Sequence, residues 1–429
     1  MKHTITIEKI IPGGRGLART DAGQVIMIPF TLPGEQVLIR EKKKKSGYLE
    51  GDLEQILSPS PARIIPPCPL YGECGGCDLQ HGSYEEQLLI KKGIVTESLQ
   101  RAKVPFAADQ IQNTLASPAQ WGYRYRLRLK ISPAGQLGFF RKKSNSFIPV
   151  DNCPVTTEDM CSALAELNSS GMLRSLAGIS SEFELLQSPA DGKITLVLRG
   201  DKQKRPSKAI YQKLEQLPSL AQVGWISRQG FQYLSSTAKP LAQDILLKNG
   251  KCTLSWSGGC FSQVNPGQNQ QLIQLVCAAA GEIQGKAVLD LYCGMGNFSI
   301  PLALSGATVT GIEGNQESIH WAEENAHQAG ISARFFTADV RAALEQLAGQ
   351  GEKADLTLID PPRSGVGEKI ILLSHLEPEK ILYVSCDPAT LARDLNALCQ
   401  HGYTIRTVTP VDMFPQTSHI ETVVLLEKA

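Results

Sequence analysis

Cys386 lies in the run Ser385-Cys386-Asp387-Pro388-Ala389-Thr390-Leu391, directly after the apolar stretch Ile381-Leu382-Tyr383-Val384. A thiol at the end of a strand and the start of a helix can act as a nucleophile once it is deprotonated. Asp387 as N-cap and Pro388 in the first turn mark the helix start. The helix N-terminus favours thiolate, while the adjacent Asp387 opposes it. A second passage, Val288-Leu289-Asp290-Leu291-Tyr292-Cys293-Gly294-Met295-Gly296-Asn297-Phe298, runs from an apolar strand into a glycine turn. Such a turn lets a nucleotide-like ligand approach the backbone at the carboxyl end of the strand. Ser299 occupies the place of a third glycine, so the pyrophosphate cradle is not satisfied, and a ligand without pyrophosphate such as S-adenosylmethionine fits better. Glu313, about 20 residues on, is placed for ribose hydroxyls, and Asp339 for the adenine amino group.

A third passage is Leu358-Ile359-Asp360-Pro361-Pro362-Arg363-Ser364-Gly365. Two successive prolines hold a stiff, extended loop suited to presenting a flat base. In amino-group methyltransferases a similar Asp/Asn-Pro-Pro loop stacks the base on a following aromatic residue. Here Arg363 stands in that place, which speaks against methylation of an exocyclic amine and for a pyrimidine ring handled another way. A fourth constellation is Cys68, Cys74 and Cys77, spaced C-x5-C-x2-C among Gly72, Gly75 and Gly76, with Cys153 later in the chain and Cys161 as its near competitor. Four thiolates suit a [4Fe-4S] cluster or a structural zinc. The lack of a second C-x2-C pair departs from zinc ribbons and favours the cluster.

These residues must be positioned by more than one domain, because 429 residues exceed an ordinary single domain. A content of 42% hydrophobic and 20% charged residues excludes disordered and low-complexity classes. No apolar run approaches the roughly 18 residues of a membrane span, and the N-terminus has no signal-peptide pattern, so a cytoplasmic protein is expected. The net charge of +1 conceals an asymmetry: residues 1–150 hold 21 Lys and Arg against 13 Asp and Glu. Within them, segment 120–150 carries Arg124, Arg126, Arg128, Lys130, Arg141, Lys142 and Lys143 without an acid, as expected where a surface meets a polyanion. Four or five β-type segments between Ile5 and about Leu57 predict a small OB-like barrel with Lys42 to Lys45 on a loop. A helix is expected over 84–101, then a mixed α+β region to about 255. From 266 onward apolar strands alternate with helices, the pattern of a Rossmann-like, doubly wound and mostly parallel sheet.

The chain resembles the RNA 5-methyluridine methyltransferases, especially the ribosomal large-subunit enzymes with an N-terminal TRAM domain. The resemblance rests on the barrel, the cysteine spacing, DLYCGMGNF, DPPRSG, SCDPATLARDL and His419-Ile420-Glu421-Thr422. It implies S-adenosylmethionine-dependent methylation of uridine C5 in RNA, with Cys386 as nucleophile and Glu421 as base. It further implies that Gln263, Tyr292, Asn297, Glu313, Asp339 and Asp360 line the cofactor and substrate site, and that Cys68, Cys74, Cys77 and Cys153 hold a [4Fe-4S] cluster. Tyr292 stands where relatives often have Phe. The expected parts are a TRAM barrel over 1–58, a central cluster-bearing domain over 59–88 and 122–258, and a methyltransferase domain over 89–121 and 259–429. The expected substrate is 23S ribosomal RNA, with the transfer RNA T-loop as the alternative, and a monomer is expected. Cytosine-C5 methylation is disfavoured because no second catalytic-type Cys stands near DPPRSG. A non-catalytic iron–sulfur RNA-binding protein is disfavoured by the intact Cys386, Glu421 and glycine turn.

Overall fold

The computed structural model describes residues 2–142, 144–200, 205–248 and 250–429, the side chain of Ser181 excepted. The N-terminal part is one six-stranded sheet in the order Lys2–Thr6, Gln36–Lys45, Tyr48–Ser58, Val25–Pro29, Arg15–Arg19 and Lys9–Ile11. Six strands replace the expected four or five, partly because the first β-type segment divides. Ile7 N–H donates to Glu35 O while Glu8 N–H donates to Leu17 O, so the chain crosses there from one sheet edge to the other and closes the barrel. The lysine run is also corrected. Lys42 to Lys45 end a strand, with Lys43, Lys44 and Lys45 opposite Glu50, Leu49 and Tyr48, and only Ser46 and Gly47 make the reversal.

A second sheet of seven strands spans Arg126 to Tyr233. It changes the meaning of the basic run. Strand Arg126–Ile131 pairs with strand Ser180–Gln187, whose Glu184 takes Arg126 and Arg128 and whose Glu182 takes Arg128 and Lys130. Arg141 is paired with Glu73. Much of the charge that looks free in the sequence is therefore neutralised by a neighbouring strand; Lys143 lies outside the described residues.

The third sheet carries the chemistry-bearing passages. Its order is Arg334–Thr337, Thr308–Glu313, Ala287–Leu291, Leu356–Ile359, Lys380–Ser385, Glu421–Lys428 and Tyr403–Val411, with Glu421–Lys428 alone reversed. The chain reverses its winding beside Ala287–Leu291, which places a crevice outside the strand ends there. The central parallel strands are nearly all apolar because helices cover both faces, as in Leu356–Ile359, where every residue is buried, whereas the edge strand Arg334–Thr337 is mostly exposed. The hairpin Leu241–Leu247 and Gly250–Trp256 adds Ile245, Cys252 and Leu254 to this core.

Helix Tyr84–Arg101 joins the parts. Ser83 caps it by accepting from Glu86 N–H, and its two apolar stripes serve different cores. Ile90 and Ile94 pack into the barrel, whereas Val95 and Leu99 pack into the third sheet's core. Among the described residues no helix is long and apolar enough to cross a membrane.

Candidate active site

The carboxyl ends of successive strands deliver Tyr292, Glu313, Asp360 and Cys386 to one edge of the sheet. Glu421 reaches the same edge from the other direction. The antiparallel register sets Val384 opposite Val423 and Ser385 opposite Thr422, so its continuation sets Cys386 opposite Glu421. All eight residues expected here (Gln263, Tyr292, Asn297, Glu313, Asp339, Asp360, Cys386 and Glu421) border one cleft of about 680 Å³. Phe261, Arg363, Phe414 and His419 border it too. Phe261 is 68% exposed, an aromatic ring left in water at the mouth of a pocket. Its position two residues before Gln263 was the only sequence signal for it.

The glycine turn is held from beneath. Tyr292 takes a left-handed conformation, φ 65°, that costs a non-glycine residue about 1–3 kcal/mol and turns the chain away from the strand. Tyr292 N–H donates to Ile312 O, and Glu313 accepts from Gly294 N–H at 3.3 Å and Asn315 N–H at 2.8 Å. Ser299 explains the missing third glycine, since its hydroxyl donates to the fully buried Asp290. Asn297 forms a reciprocal amide pair with Asn269, at 2.9 and 3.0 Å. Asp339 caps helix Val340–Gln350 by accepting from Ala342 N–H, which occupies one carboxylate oxygen.

The DPPRSG loop is fastened to the helix that follows Cys386, and this accounts for the SCDPATLARDL run. Thr390 donates to Arg363 O, Arg393 to Ser364 O, and Asp394 accepts from Val366 N–H and Tyr383 OH. Gly365, at φ +67°, leaves room for this clasp: a Cβ there would stand 2.6 Å from the Arg393 guanidinium and the Asp394 carboxylate.

Electrostatically the cleft is crowded with acid. Burial, aided by Asp290 and Glu313, pushes Asp360 up to about 7. Burial and then the Asp360 charge hold Glu421 well above the usual carboxylate range, against the pull of Arg363. The Cys386 thiol is pushed up to about 12 by burial, then by Glu421 and Asp360, with Arg363 opposing. The opposing pulls of the helix N-terminus and Asp387, which left the balance open in the sequence, are thus outweighed by burial and the two carboxyl groups.

The other cysteines form a separate site. Cys68, Cys74, Cys77 and Cys153 border a cavity of about 350 Å³ with Tyr71, Gly75, Gly76 and Gln80. Burial raises the Cys74 and Cys153 thiols and carries Cys77 to about 12, the neighbouring thiols adding to the rise at Cys77. Gly76 N–H donates to Cys74 Sγ at 3.4 Å. Cys161 does not border the cavity, and its thiol donates to Cys153 O. Among the described residues no group of three or more His, Cys, Asp or Glu is drawn together around a single metal ion.

A doubly wound sheet that gathers an acid-lined crevice at its strand ends defines the class of S-adenosylmethionine-dependent methyltransferases. The chain belongs to the tRNA (Uracil-5-)-methyltransferase family, which matches residues 83–429, and its residues 2–53 match the TRAM domain. It is an RNA (uracil-C5)-methyltransferase. It is 34% identical to the 23S rRNA (uracil(1939)-C(5))-methyltransferase RlmD of Shewanella sediminis, over 99% of this chain and 96% of that protein. Its identity to the enzyme of the same description from Pseudomonas putida is 33%, over 99% and 94%. Among solved structures it resembles the tRNA (uracil-54, C5)-methyltransferase of Pyrococcus abyssi in complex with S-adenosyl-L-homocysteine. That likeness, one of fold, has a TM-score of 0.74 at 23% identity and covers 99% of this chain and 100% of the other.

Proposed function

We propose that this enzyme methylates C5 of a uridine in 23S ribosomal RNA, with Cys386 as nucleophile and Glu421 as base. The observation that carries the residue roles is the register that sets Cys386 opposite Glu421 at the edge of one cleft. The RNA assignment rests on full-length relatives that act on 23S ribosomal RNA.

Uracil C5 is a poor nucleophile. Attack of the Cys386 sulfur on C6 forms an S–C6 bond and moves an electron pair onto C5, which then takes the methyl group of S-adenosylmethionine and leaves S-adenosylhomocysteine. Glu421 removes the remaining C5 proton, the S–C6 bond breaks, and the sulfur leaves as thiolate. Burial and neighbouring acid make both groups hold their protons tightly. Bound S-adenosylmethionine would bring a cationic sulfonium into this acid-lined cleft, which would offset the Asp360 charge that raises Cys386 and Glu421. Arg363 acts in the same direction. Gln263, Tyr292, Asn297 and Asp339 form the rest of the binding wall. The uridine must leave its stack to expose C5 and C6, and Phe261 offers an aromatic face at the entrance.

Cys68, Cys74, Cys77 and Cys153 are the residues that would hold a [4Fe-4S] cluster. The donor set fits: the four thiols border a shared cavity rather than meet at a point, as one thiolate per iron requires, and the Gly76 amide donates to the Cys74 sulfur. The cluster would supply a folding clamp. The parts 1–58, 59–88 with 122–258, and 89–121 with 259–429 are then RNA-binding barrel, cluster domain and methyltransferase domain, working as a monomer in the cytoplasm.

The test is to incubate the anaerobically purified enzyme with labelled S-adenosylmethionine and unmodified 23S ribosomal RNA or transfer RNA, then identify the labelled nucleoside. Label in 5-methyluridine of 23S ribosomal RNA alone is expected. Label confined to transfer RNA would move the target, and label in 5-methylcytidine would overturn the chemistry.

A further inference from the structure

Segment 412–420, which connects strand Tyr403–Val411 to strand Glu421–Lys428, leads directly into the base. Its first half is fixed from several sides. Lys91 pairs with Asp412 and donates to Phe414 O at 3.0 Å, Tyr123 OH donates to Pro415 O, and the Gln87 side chain donates to the Gln416 side-chain oxygen and accepts from Gln416 N–H. The second half is gripped from one residue, Asp78, which follows Cys77 in the chain. One Asp78 oxygen accepts from Ser418 N–H at 2.6 Å and the other from Ser418 Oγ at 3.0 Å. The backbone joins in, because Asp78 N–H and Leu79 N–H both donate to Gln416 O, at 3.1 and 3.0 Å. Gln416 is bent into the left-handed region, φ 71°, so this turn is imposed by its partners rather than by local preference. The barrel presses on the same carboxylate: a Cβ on Gly14 would stand 2.6 Å from Asp78 Cγ.

We propose that Asp78 is a positioning residue for proton removal, a clasp by which the cysteine-bearing segment and the barrel set where Glu421 stands. The inference rests on Glu421 being the base. A clasp on Ser418, three residues before Glu421, acts on the last chemical step and not on the earlier ones, since Cys386 and the methyl-donor wall are held by other elements. Loosening it leaves the S–C6 bond and methyl transfer in place and delays loss of the C5 proton, so enzyme collects as its covalent RNA adduct.

The experiment compares Glu421→Gln, Asp78→Ala and Asp78→Asn on an unmodified 23S ribosomal RNA transcript with S-adenosylmethionine, reading adduct on denaturing gels together with kcat and KM. Asp78→Ala is expected to lower kcat roughly 30- to 100-fold, the cost of a small misplacement, with KM for RNA within about threefold and adduct accumulating during turnover. Asp78→Asn keeps an acceptor for Ser418 N–H and an amide partner for its hydroxyl, and is expected to recover kcat to within about threefold of the parent. Ser418→Ala, which removes one bond of the clasp and leaves Asp78 in place, gives the same signature more weakly and replaces Asp78→Ala should that chain not fold. Adduct with Glu421→Gln but none with Asp78→Ala or Ser418→Ala overturns the clasp. No adduct with Glu421→Gln overturns the base assignment, and the clasp falls with it.

Discussion

Cys386 and Cys77 are both thiols that burial pushes up to about 12, yet the groups around them differ in kind. Around Cys386 stand two carboxylates and one guanidinium, so its proton is controlled by charges that a cationic methyl donor and an RNA substrate can rearrange. Around Cys77 stand three more thiols, which add to the rise, and Gln80, whose hydrogen bond opposes it; a metal centre bound there would deprotonate the coordinating thiols outright. The same burial thus leaves one sulfur among charges that a ligand can shift and the other among further thiols. A raised thiol is therefore a different statement in each cavity, and the neighbours decide which.

The largest expected effect separates the two cavities completely. Cys386→Ala is expected to reduce turnover on the order of 10⁴-fold or more and to abolish the RNA adduct, with iron and acid-labile sulfide per chain unchanged. Cys77→Ser is expected to do the reverse to the metal: iron is lost, while S-adenosylmethionine affinity, measured by calorimetry, stays within about threefold because that wall is built on other strand ends. Iron retained in Cys77→Ser would break the comparison from the second side.

The two sites were not equally legible. Asp360, Glu313 and Cys386 each stand at or just beyond the end of an apolar strand, so periodicity alone carried them to one sheet edge, whereas Phe261 and Phe414 of the same cleft carried no such signal. Glu421 is different: it begins a reversed strand, and only the pairing of Ser385 with Thr422 reveals whom it faces. The cysteine cavity joins residues 68–77 to Cys153 through loops, where spacing suggests a metal but no period says which distant Cys closes the set. Of the two later candidates, Cys153 borders the cavity and Cys161 does not. Pairing across a sheet was wholly hidden, as Glu182 and Glu184 show by neutralising a basic strand some 50 residues away. The lysine run was misjudged for a related reason: local composition reads as a loop, but register with residues 48–50 makes it strand.

An intermediate effect concerns acid stored beneath the cleft. Burial pushes the Asp290 carboxyl from 3.8 up to about 7, despite the Ser299 hydroxyl, so the fold favours its protonated form. That contribution is fully present below the ordinary value and is lost as pH rises through about 7. Asp290→Asn removes the dependence. Relative to the parent it should therefore gain stability between about pH 4 and 7, levelling above pH 7 at up to about 4 kcal/mol, read in thermal melts of the ligand-free enzyme. Parallel melts of parent and Asp290→Asn at pH 5 and pH 8 would remove the case for a protonated Asp290.

The smallest effect tests whether a residue at the cleft wall serves the ligand or only the fold. Asp339 spends one oxygen on Ala342 N–H as a helix cap, and its other oxygen faces the cleft wall without a partner in the described contacts. Asp339→Ala removes both and is expected to cost about 1 kcal/mol of stability together with cofactor affinity. Asp339→Asn separates the two roles. Its carbonyl oxygen still accepts from Ala342 N–H, so the melting temperature should hold, while its amide end can donate but not accept. If the free oxygen receives the adenine amino group, S-adenosylmethionine binds roughly five- to tenfold more weakly to Asp339→Asn, the worth of one hydrogen bond. Unchanged binding with an unchanged melt would make Asp339 a cap alone, and the recognition of adenine would then fall to the backbone around Val340.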